Sequence, residues 1–531
     1  GIAGNMPAFK QDGSNTTIEQ AAQAGMHHDG MAYFPVPLGS QASNHGLLAM
    51  NHEYIDNGLL FKDGSANWDL NKARKGQNAM GVSIVEVKKG GNGWEVVRPS
   101  RYARRITANT PMGITGPARG HSLMKTRADS RGERVLGTMQ NCANGYTPWG
   151  TYLTCEENWS DIFTNPGGNI SALEKRYGIG KSEDSYRWSE VDERFNSEKN
   201  PNEPNRFGWV VEIDPFDPKS MPVKRTALGR IKHENCAYAF TADRRVVVYM
   251  GDDQANDYVY KFVSTGLYDA ANAANNRNLL DSGTLYVAKF GAGATMGDMM
   301  GTGEWIALVP ATVTTDSSTL GAKFGDLGSI LVNTRLAADA VGATKMDRPE
   351  WITADPFTAG SIYCTLTNNS QRGEAGKPAA DAANPRANNL FGHIIHWQEA
   401  DGDGTKLSFK WDILVLAGNK QAAKPEHKGN INGDDFGSPD GLAFDNRGVL
   451  WIQTDVSTST LNMKEYAGMG NNQMVATVLG SNEYRRFLTA PNGSEVTGIA
   501  FTPDNKTTVS FTPLTLPTRC SVLNSVAAGP L

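Results

Sequence analysis

The sequence predicts an all-β protein: one elaborated β-propeller of about five to six blades, with a few short helices and long insertions. Similar hairpins, in which two apolar strands flank a short turn rich in Asp, Asn and Gly, recur at 236–250, 441–452 and 498–509. Several apolar strands end in a carboxylate or an amide, at 48–53, 152–157, 248–253, 363–369 and 451–455. The 57 glycines suit many tight turns. Hairpins that repeat in this way are typical of propeller blades.

A single domain is expected over all 531 residues, since propellers of this length commonly fold as one unit. The strand ends are spaced at roughly twice the ~40–50 residues of a standard blade. We therefore expect insertions near 267–345 and near 366–390, the second being rich in Gly, Pro, Ala and Asn. Helical patterns occur at 18–25 and 267–276.

Composition and charge argue against several classes of partner. The net charge is −5, the pI is near 6.0 and no run of Lys or Arg could follow a phosphate backbone, so nucleic acid is not an expected partner. No apolar stretch approaches the ~18–20 residues that span a bilayer. No apolar segment stands out as facing a partner, so we expect a monomer. The first residues lack the basic and apolar regions of a signal peptide, so we expect either a cytosolic chain or a processed mature form.

The cysteines and the absent motifs narrow the chemistry. The five cysteines show no CxxC spacing, so the sequence indicates neither a structural zinc site nor a disulfide framework. A bridge between Cys142 and Cys155 stays open in an oxidising compartment. The histidines show no HxH or HExxH spacing, and there is no G-x-S-x-G elbow, P-loop or dinucleotide-binding fingerprint.

A set of acidic residues beside small, aromatic or apolar neighbours carries the main chemical signal. A carboxylate on a buried strand end must be paired, hydrogen-bonded or metal-bound. Lys and Arg nearby are too few to neutralise the whole set, which predicts hard cations such as Ca²⁺, although any one member could instead cap a turn or face solvent. The set is Glu53, Glu156, Glu157, Glu212, Asp214, Glu234, Asp252, Asp253, Glu350 and Asp440.

Cys142 and Arg348 could each have either a chemical role or a purely structural one. The thiolate of Cys142 among oxygen ligands would indicate a transition metal such as iron, whereas a buried thiol or a disulfide is the plainer alternative. Arg348 precedes a proline that restricts the local backbone, and its planar guanidinium could clamp a phosphate or form an ion pair with Asp347.

An ordered series of distinctive segments runs from about residue 25 to residue 505: 28–31 (HDGM), 48–53 (LAMNHE), 116–121 (GPARGH), 141–151 (NCANGYTPWGT), 154–157 (TCEE), 208–215 (GWVVEIDP), 229–234 (GRIKHE), 248–253 (VYMGDD), 347–350 (DRPE), 384–386 (NPR) and 439–444 (PDGLAF). This series resembles the PhoX family of alkaline phosphatases.

The resemblance implies a propeller-like fold, hydrolysis of many phosphomonoesters to release inorganic phosphate, and a cofactor of two Fe³⁺ and two or three Ca²⁺ ions with a bridging oxo group. At the matching positions it implies that Arg348 contacts the phosphoryl oxygens and that the metal ligands are Cys142, Glu157, Glu234, Asp253, Glu350 and Asp440. It leaves Glu53, Glu156 and Glu212 unassigned. An oxo group or hydroxide held by the metals would attack phosphorus in line.

The resemblance also implies export to the periplasm or beyond, which suits a mature chain that begins at Gly1. One segment departs from the family. After Asn505 the expected strand and a Gln-His-Pro-Gly element are replaced by a different sequence that runs to Leu531.

Two other functions fit the same pattern of carboxylates. One is a calcium-dependent propeller hydrolase of the phytase-like or lactonase-like kind, and the other is a non-enzymatic propeller with structural calcium. Iron together with calcium would distinguish the phosphatase from both.

Overall fold

The structure is a computed structural model that describes residues 8–182, 185–295 and 297–511. The prediction of a mostly β protein is confirmed, because strands assembled into several sheets make up most of its regular structure. The end of the atypical carboxyl-terminal segment, 512–531, lies outside the described residues.

The first two sheets come from the amino-terminal part of the chain. The first pairs in the order β1-β2-β3-β4, with β5 also on β3. Its strands are β1 (His28–Pro35), β2 (His45–His52), β3 (Gly81–Gly90), β4 (Gly93–Val96) and β5 (Arg104–Ile106). The strands of the second sheet are β6 (Pro111–Thr115), β7 (Arg134–Leu136), β8 (Asn141–Tyr146), β9 (Tyr152–Glu156), β10 (Val210–Ile213) and β11 (Val223–Arg225). Its order is β7-β6-β11-β10-β9-β8, with β6 and β11 parallel.

The third sheet is the longest and is antiparallel throughout. Its order is β12-β13-β14-β15-β16-β20-β19-β18-β17. Its strands are β12 (His233–Phe240), β13 (Arg245–Asp252), β14 (Val259–Leu267), β15 (Gly283–Phe290), β16 (Met300–Ala307), β17 (Pro349–Ala354), β18 (Ser361–Leu366), β19 (His393–Glu399) and β20 (Ser408–Leu416).

The last two sheets are antiparallel, one a four-stranded meander and the other a two-stranded hairpin. Their strands are β21 (Pro439–Phe444), β22 (Val449–Thr454), β23 (Gln473–Val478) and β24 (Tyr484–Thr489), then β25 (Thr497–Phe501) and β26 (Thr508–Phe511).

The helices are short and lie in the connections. The α-helices are α1 (Thr17–Gln20), α2 (Asn57–Leu60), α3 (Leu70–Ala79), α4 (Ala172–Arg176), α5 (Leu320–Phe324), α6 (Leu327–Val332) and α7 (Thr334–Val341). The 3-10 turns are Ser122–Met124, Trp159–Ile162, Trp188–Glu190, Glu193–Phe195, Pro204–Arg206, Thr226–Leu228, Ala273–Asn276, Leu279–Asp281, Ala400–Gly402, Pro425–His427 and Lys464–Tyr466. None of the helices in the described part of the chain has the length and apolarity that crossing a membrane requires.

Two helical patterns come out shorter than expected. Of 18–25, only the first residues lie in α1, which ends at Gln20. Of 267–276, Leu267 ends β14 and only Ala273–Asn276 is helical. The stretch 267–345 holds β15, β16 and α5 to α7 as well as loops, whereas 367–392 contains neither a helix nor a named strand.

The strands β1, β8, β12, β17, β21 and β25 follow one another in a closed series, which we call the inner ring. Each contacts the next, and β25 returns to β1. Each also begins an antiparallel unit with the strand that follows it in the chain. We number these units 1 to 6 in chain order; apolar cores with buried tryptophans such as Trp159, Trp209 and Trp397 fill the space between them.

Candidate metal centre

Every strand of the inner ring departs from regular pairing directly after its first residue. In unit 1, His28 pairs with His52 but the next regular pair is Met31 with Met50, and units 2 to 5 repeat this shift. In unit 6, the shift leaves Gly498 unpaired. A bulge of this kind re-aims a side chain out of the ladder. The second residues of the six described strands are Asp29, Cys142, Glu234, Glu350, Asp440 and Gly498.

A second position repeats beside the first. In units 1 to 5, the residue just after the second strand donates its backbone N–H to the carbonyl oxygen of the residue before the first strand. For example, Glu157 donates to Gln140 over 3.0 Å and Asp253 donates to Lys232 over 3.1 Å. The residues held in this way are Glu53, Glu157, Asp253, Thr367 and Asp455.

The two positions bring acidic side chains together at the boundaries between units. Among the described residues, the groups whose ligand atoms all lie within 4.8 Å of one another are Asp29–Glu53–Cys142, Cys142–Glu157–Glu234, Glu234–Asp253–Glu350 and Asp440–Asp455–Glu495. Cys142 and Glu234 each belong to two groups, so the first three form one continuous cluster across units 1 to 4. The fourth lies between units 5 and 6.

Cys142 lies at the centre of the continuous cluster. Its thiol donates to Asp29 Oδ2 over 3.1 Å and to Glu234 Oε1 over 3.3 Å. Burial, and then the negative charge of Asp29 and Glu234, raises the pKa of this thiol well above its ordinary value. Ionising the thiol in this place therefore requires a cation.

The carboxylates repel one another for the same reason. Burial and neighbouring carboxylates raise the pKa of six of them well above the ordinary range: Glu53, Glu157, Glu234, Glu350, Asp440 and Glu495. Burial likewise raises the pKa of Asp29 to about 6. At Asp253 burial opposes ionisation, but Arg348 outweighs it and the pKa of this carboxyl is lowered.

Metal ions fit this donor set. In the described part of the chain, Glu234 Oε2 and Asp440 Oδ1 are buried side-chain oxygens without a hydrogen-bond partner. Buried acceptors that lack a donor are costly unless a cation is bound. Carboxylate oxygens suit calcium, whereas a thiolate among them suits a transition metal.

Two basic side chains face the cluster from equivalent places, each just before an inner-ring strand. Arg348 donates to both oxygens of Asp253, over 2.8 and 2.7 Å, and to Glu350 over 2.9 Å, and its side chain remains 32% exposed. Lys232 donates to Asn158 Oδ1 over 3.0 Å, and its charge lowers the pKa of Asp253 and opposes the raised pKa of Glu157.

The residues predicted from the sequence separate into two classes. Cys142, Glu157, Glu234, Asp253, Glu350 and Asp440 all lie in the groups described above, and Arg348 lies against them. Glu53 joins them as well. The other four acidic candidates do not. Glu156 pairs with Lys224 at 2.6 Å and Glu212 pairs with Arg225 at 2.7 Å, both inside unit 2, while Asp214 pairs with Arg277 at 3.0 Å and Asp252 pairs with Arg335.

Three acidic members were not predicted as ligands. Asp29 follows His27 and His28 in the chain, and the ring of His28 contacts the ring of His52 at 2.9 Å. Asp455 ends a strand in the same manner as Glu157 and Asp253, a repeat that could have identified it. Glu495 lies before β25 in a loop, where no strand-end pattern marks it.

The bridge considered between Cys142 and Cys155 does not form. The four described cysteines are free, and the Sγ of Cys155 faces the Sγ of Cys236 at 3.6 Å. Cys142 points instead into the acidic cluster.

Comparisons with known proteins identify the family of this chain. The family model for "Alkaline phosphatase PhoX" matches residues 1–510. A solved structure of Pseudomonas fluorescens PhoX in complex with vanadate, a transition state analogue, has 47% sequence identity and a TM-score of 0.90, covering 96% of this chain and 87% of that one. A Mycobacterium tuberculosis puromycin-hydrolysing peptidase is also matched, with 11% identity and a TM-score of 0.26 over 97% of this chain and 55% of that one, and it carries no argument. No curated protein matches the chain.

Proposed function

The chain belongs to the PhoX alkaline phosphatase family and is a phosphoric monoester hydrolase, and from this premise we propose that it hydrolyses a broad range of phosphomonoesters at the cluster around Cys142. The observation that carries the proposal is the convergence of one thiol and six carboxylates, which make up the three groups sharing Cys142 and Glu234, beside Arg348. The related structure is described as binding vanadate as a transition state analogue, which supports a phosphoryl site in this family.

The proposed metal ligands are Cys142, Glu157, Glu234, Asp253, Glu350 and Asp440, joined by Asp29, Glu53, Asp455 and Glu495. We propose two ferric ions and two or three calcium ions with a bridging oxo group, as the family resemblance implies. The mixed donor set supports this, since thiolate and carboxylate ligands select different metals. When bound, such ions would neutralise phosphoryl oxygens as Lewis acids and supply a nucleophile at moderate pH.

The protein's own contribution is to bind and orient the phosphoryl group. Arg348 is held by its hydrogen bonds to Asp253 and Glu350, so its planar guanidinium is already oriented when substrate binds. We propose that its remaining donors contact the phosphoryl oxygens. Lys232, held by Asn158, adds a second positive charge on the side of unit 3.

The architecture proposed for this site is a six-bladed propeller. The closed inner ring and the bulge repeated in each unit support it, because radial repetition brings equivalent strand ends to a common axis. The wide third sheet would then be two blades joined through the outer strands β16 and β20. We also propose a single domain with insertions near 267–345 and 366–390, a monomeric state and, from the family resemblance, a periplasmic or extracellular location.

The decisive experiment combines elemental analysis with hydrolysis of p-nitrophenyl phosphate, before and after chelation and after calcium is returned. We expect iron and calcium together, activity that falls on chelation, and recovery with calcium. A hydrolase that contains calcium without iron would favour the phytase-like alternative. Full activity in protein stripped of all metal would overturn the proposal.

A further inference from the structure

We propose that Cys155 and Cys236 are a redox pair that forms a disulfide between units 2 and 3, each cysteine lying two residues along the chain from a member of the Cys142–Glu157–Glu234 group. Cys155 lies in β9 and Cys236 in β12, and the two sulfurs are 3.6 Å apart. Both side chains are buried, with exposures of 0% and 2%. A disulfide needs an S–S distance of about 2.05 Å, so about 1.5 Å of approach closes the bond.

The backbone is closely packed beside this pair. A Cβ at Gly145 in β8 would overlap the carbonyl oxygen of Cys236, so a glycine is what lets β8 and β12 run in close contact. The surrounding residues, among them Leu153, Val210 and Val248, are apolar and fully buried. The two sulfurs therefore face each other inside an apolar, closely packed layer.

The other described cysteines are placed differently. Cys142 donates to carboxylates, and Cys364 donates to the carbonyl oxygen of Thr365 over 3.4 Å. Among the cysteines that the structure describes, only Cys155 and Cys236 are recorded with their sulfurs in contact. Oxidation of this pair would leave the thiol of Cys142 free for its carboxylate-lined site.

The pair is linked to the metal centre through the chain. Cys155 precedes Glu157 by two residues, and Cys236 follows Glu234 by two residues. A bond between them would fix the separation of two segments that carry two members of one group. We therefore expect the disulfide to stabilise the boundary between units 2 and 3 against heat.

The reaction balances as a thiol–disulfide exchange with a small external disulfide such as oxidised glutathione. One cysteine thiolate attacks that disulfide, which gives a mixed disulfide and releases one glutathione thiol. The second cysteine thiolate then attacks the protein-side sulfur, forms the Cys155–Cys236 bond and releases the second glutathione. Two protons and two electrons leave the protein pair, and the external disulfide is reduced to two thiols. Because both cysteines are buried, exchange requires the boundary to be open, as it is during folding.

The test uses the full chain refolded from urea with oxidised glutathione or with dithiothreitol, together with native protein incubated in each. All samples are then denatured without reductant and treated with N-ethylmaleimide. We expect the glutathione-refolded chain to be two hydrogen atoms lighter before labelling and to take up two fewer maleimides than the reduced chain. Peptide mapping must locate the bond. Trypsin leaves Cys142 and Cys155 together in 135–175, so a second digestion with chymotrypsin, which cleaves after Trp149 or Tyr152, is needed to separate them.

Matched variants complete the test. The bond should persist in Cys142→Ser and Cys364→Ser and be absent in Cys155→Ser, and the oxidised wild type should melt at a higher temperature than the reduced one. Labelling of both Cys155 and Cys236 in every redox arm, or a bond made through Cys142, would overturn the inference. The mass and the mapping of the wild type decide this even if a variant fails to fold, and neither depends on metal content or phosphatase activity.

Discussion

Arg348 shows how one residue of this site depends on its neighbours. Its guanidinium neutralises part of the charge of Asp253 and Glu350 while keeping 32% of its side chain exposed. A fork of donors that is bound on one side presents its other side in a fixed direction, which suits a tetrahedral oxyanion. Lysine would supply the same charge, but as a compact point charge without the planar fork of donors.

The substitution Arg348→Ala should lower kcat/KM by about 10²- to 10³-fold, the usual effect of removing one donor to a developing oxyanion. Arg348→Lys should recover only part of this loss. Steady-state kinetics and metal content should be measured on the same preparations. Arg485→Ala is a matched control, since Arg485 forms an exposed pair with Glu483 at 3.0 Å, far along the chain in β24. Unchanged kinetics in Arg348→Ala would remove it from the site.

A separate prediction concerns Lys232, which also faces the cluster. Its ion pair with Asp161, at 3.7 Å, is longer than the pairs that Arg348 forms with Asp253 and Glu350. We expect Lys232→Met to raise both KM and the inhibition constant of inorganic phosphate about tenfold, equivalent to ~1.4 kcal/mol of binding. Asp161→Asn is the control: Asp161 lies 3.7 Å from the ammonium and its side chain is 46% exposed, so its loss should change neither constant. Equal effects of the two changes would mean that Lys232 acts structurally.

At the residue scale, the sequence identified most members of the cluster but not that two of them each belong to two groups. Strand-end carboxylates placed Glu157 and Glu234 among ten acidic candidates, and the family resemblance added Cys142 as a ligand. They could not show that Cys142 and Glu234 each serve two groups, because sharing depends on distances between units. Residue type and spacing alone did not distinguish Glu156 from Glu157, whereas in the structure Glu156 lies away from the cluster and pairs with Lys224.

The inner-ring strand is the element that positions the side chains of the site. Its first residue pairs normally, its second is released by the bulge, and the backbone then returns to the ladder. The residue before it adopts a left-handed φ in four units, at His27, Gln140, Arg348 and Ser438. Because neither a bulge nor a left-handed residue has a firm sequence signature, the hairpins could be predicted while the direction of their ends could not.

These strand ends predict an unusual dependence of stability on pH in metal-free protein. Their carboxyl groups have a higher pKa folded than the ~4 expected unfolded, so the folded chain binds more protons and its stability falls as pH rises. The fall should begin near pH 4, continue through about 6, where Asp29 titrates, and extend above it. Asp253, whose pKa is lowered, opposes the trend but is one group among many.

Thermal melts of chelated protein at pH 5 and pH 8 would measure this effect, and we expect the higher melting temperature at pH 5. Asp440→Asn should reduce the difference by removing one of the titrating groups. Metal-loaded protein should show the opposite tendency, because ligands must be deprotonated to bind a metal. A melting temperature that rises with pH in the metal-free chain would contradict the assignment.

On the scale of the whole molecule, the sequence predicted repeated hairpins but could not establish how many units there are. Long connections between β18 and β19, and between β9 and β10, hide the spacing that a regular repeat would show. The β16–β20 pair merges units 3 and 4 into a single sheet. What distinguishes the units is the inner ring, and that depends on contacts between residues hundreds of positions apart.

The contact between β25 and β1 closes this ring and leads to the last prediction. Gly498 has a φ of +60°, and a Cβ there would overlap the carbonyl oxygen of Asp29, while the neighbouring Thr497 hydroxyl donates to the Asp29 carboxylate. Gly498→Ala should therefore destabilise the fold through backbone strain and overpacking, by roughly 2–4 kcal/mol together. It should also accelerate metal loss from the Asp29–Glu53–Cys142 group.

The variant Gly493→Ala distinguishes the effect of backbone strain from the effect of closing the inner ring. Gly493 also has a positive φ, +76°, but a Cβ there would meet open space. This variant should therefore be destabilised only by the strain of the backbone conformation. Denaturant unfolding and the rate of metal release under chelation should be compared for the two variants. If closure of the ring by β25 positions Asp29, only Gly498→Ala will release metal faster. If both variants behave alike, the carboxyl-terminal unit stabilises the chain without shaping the site, and the departure from the family after Asn505 would then concern stability alone.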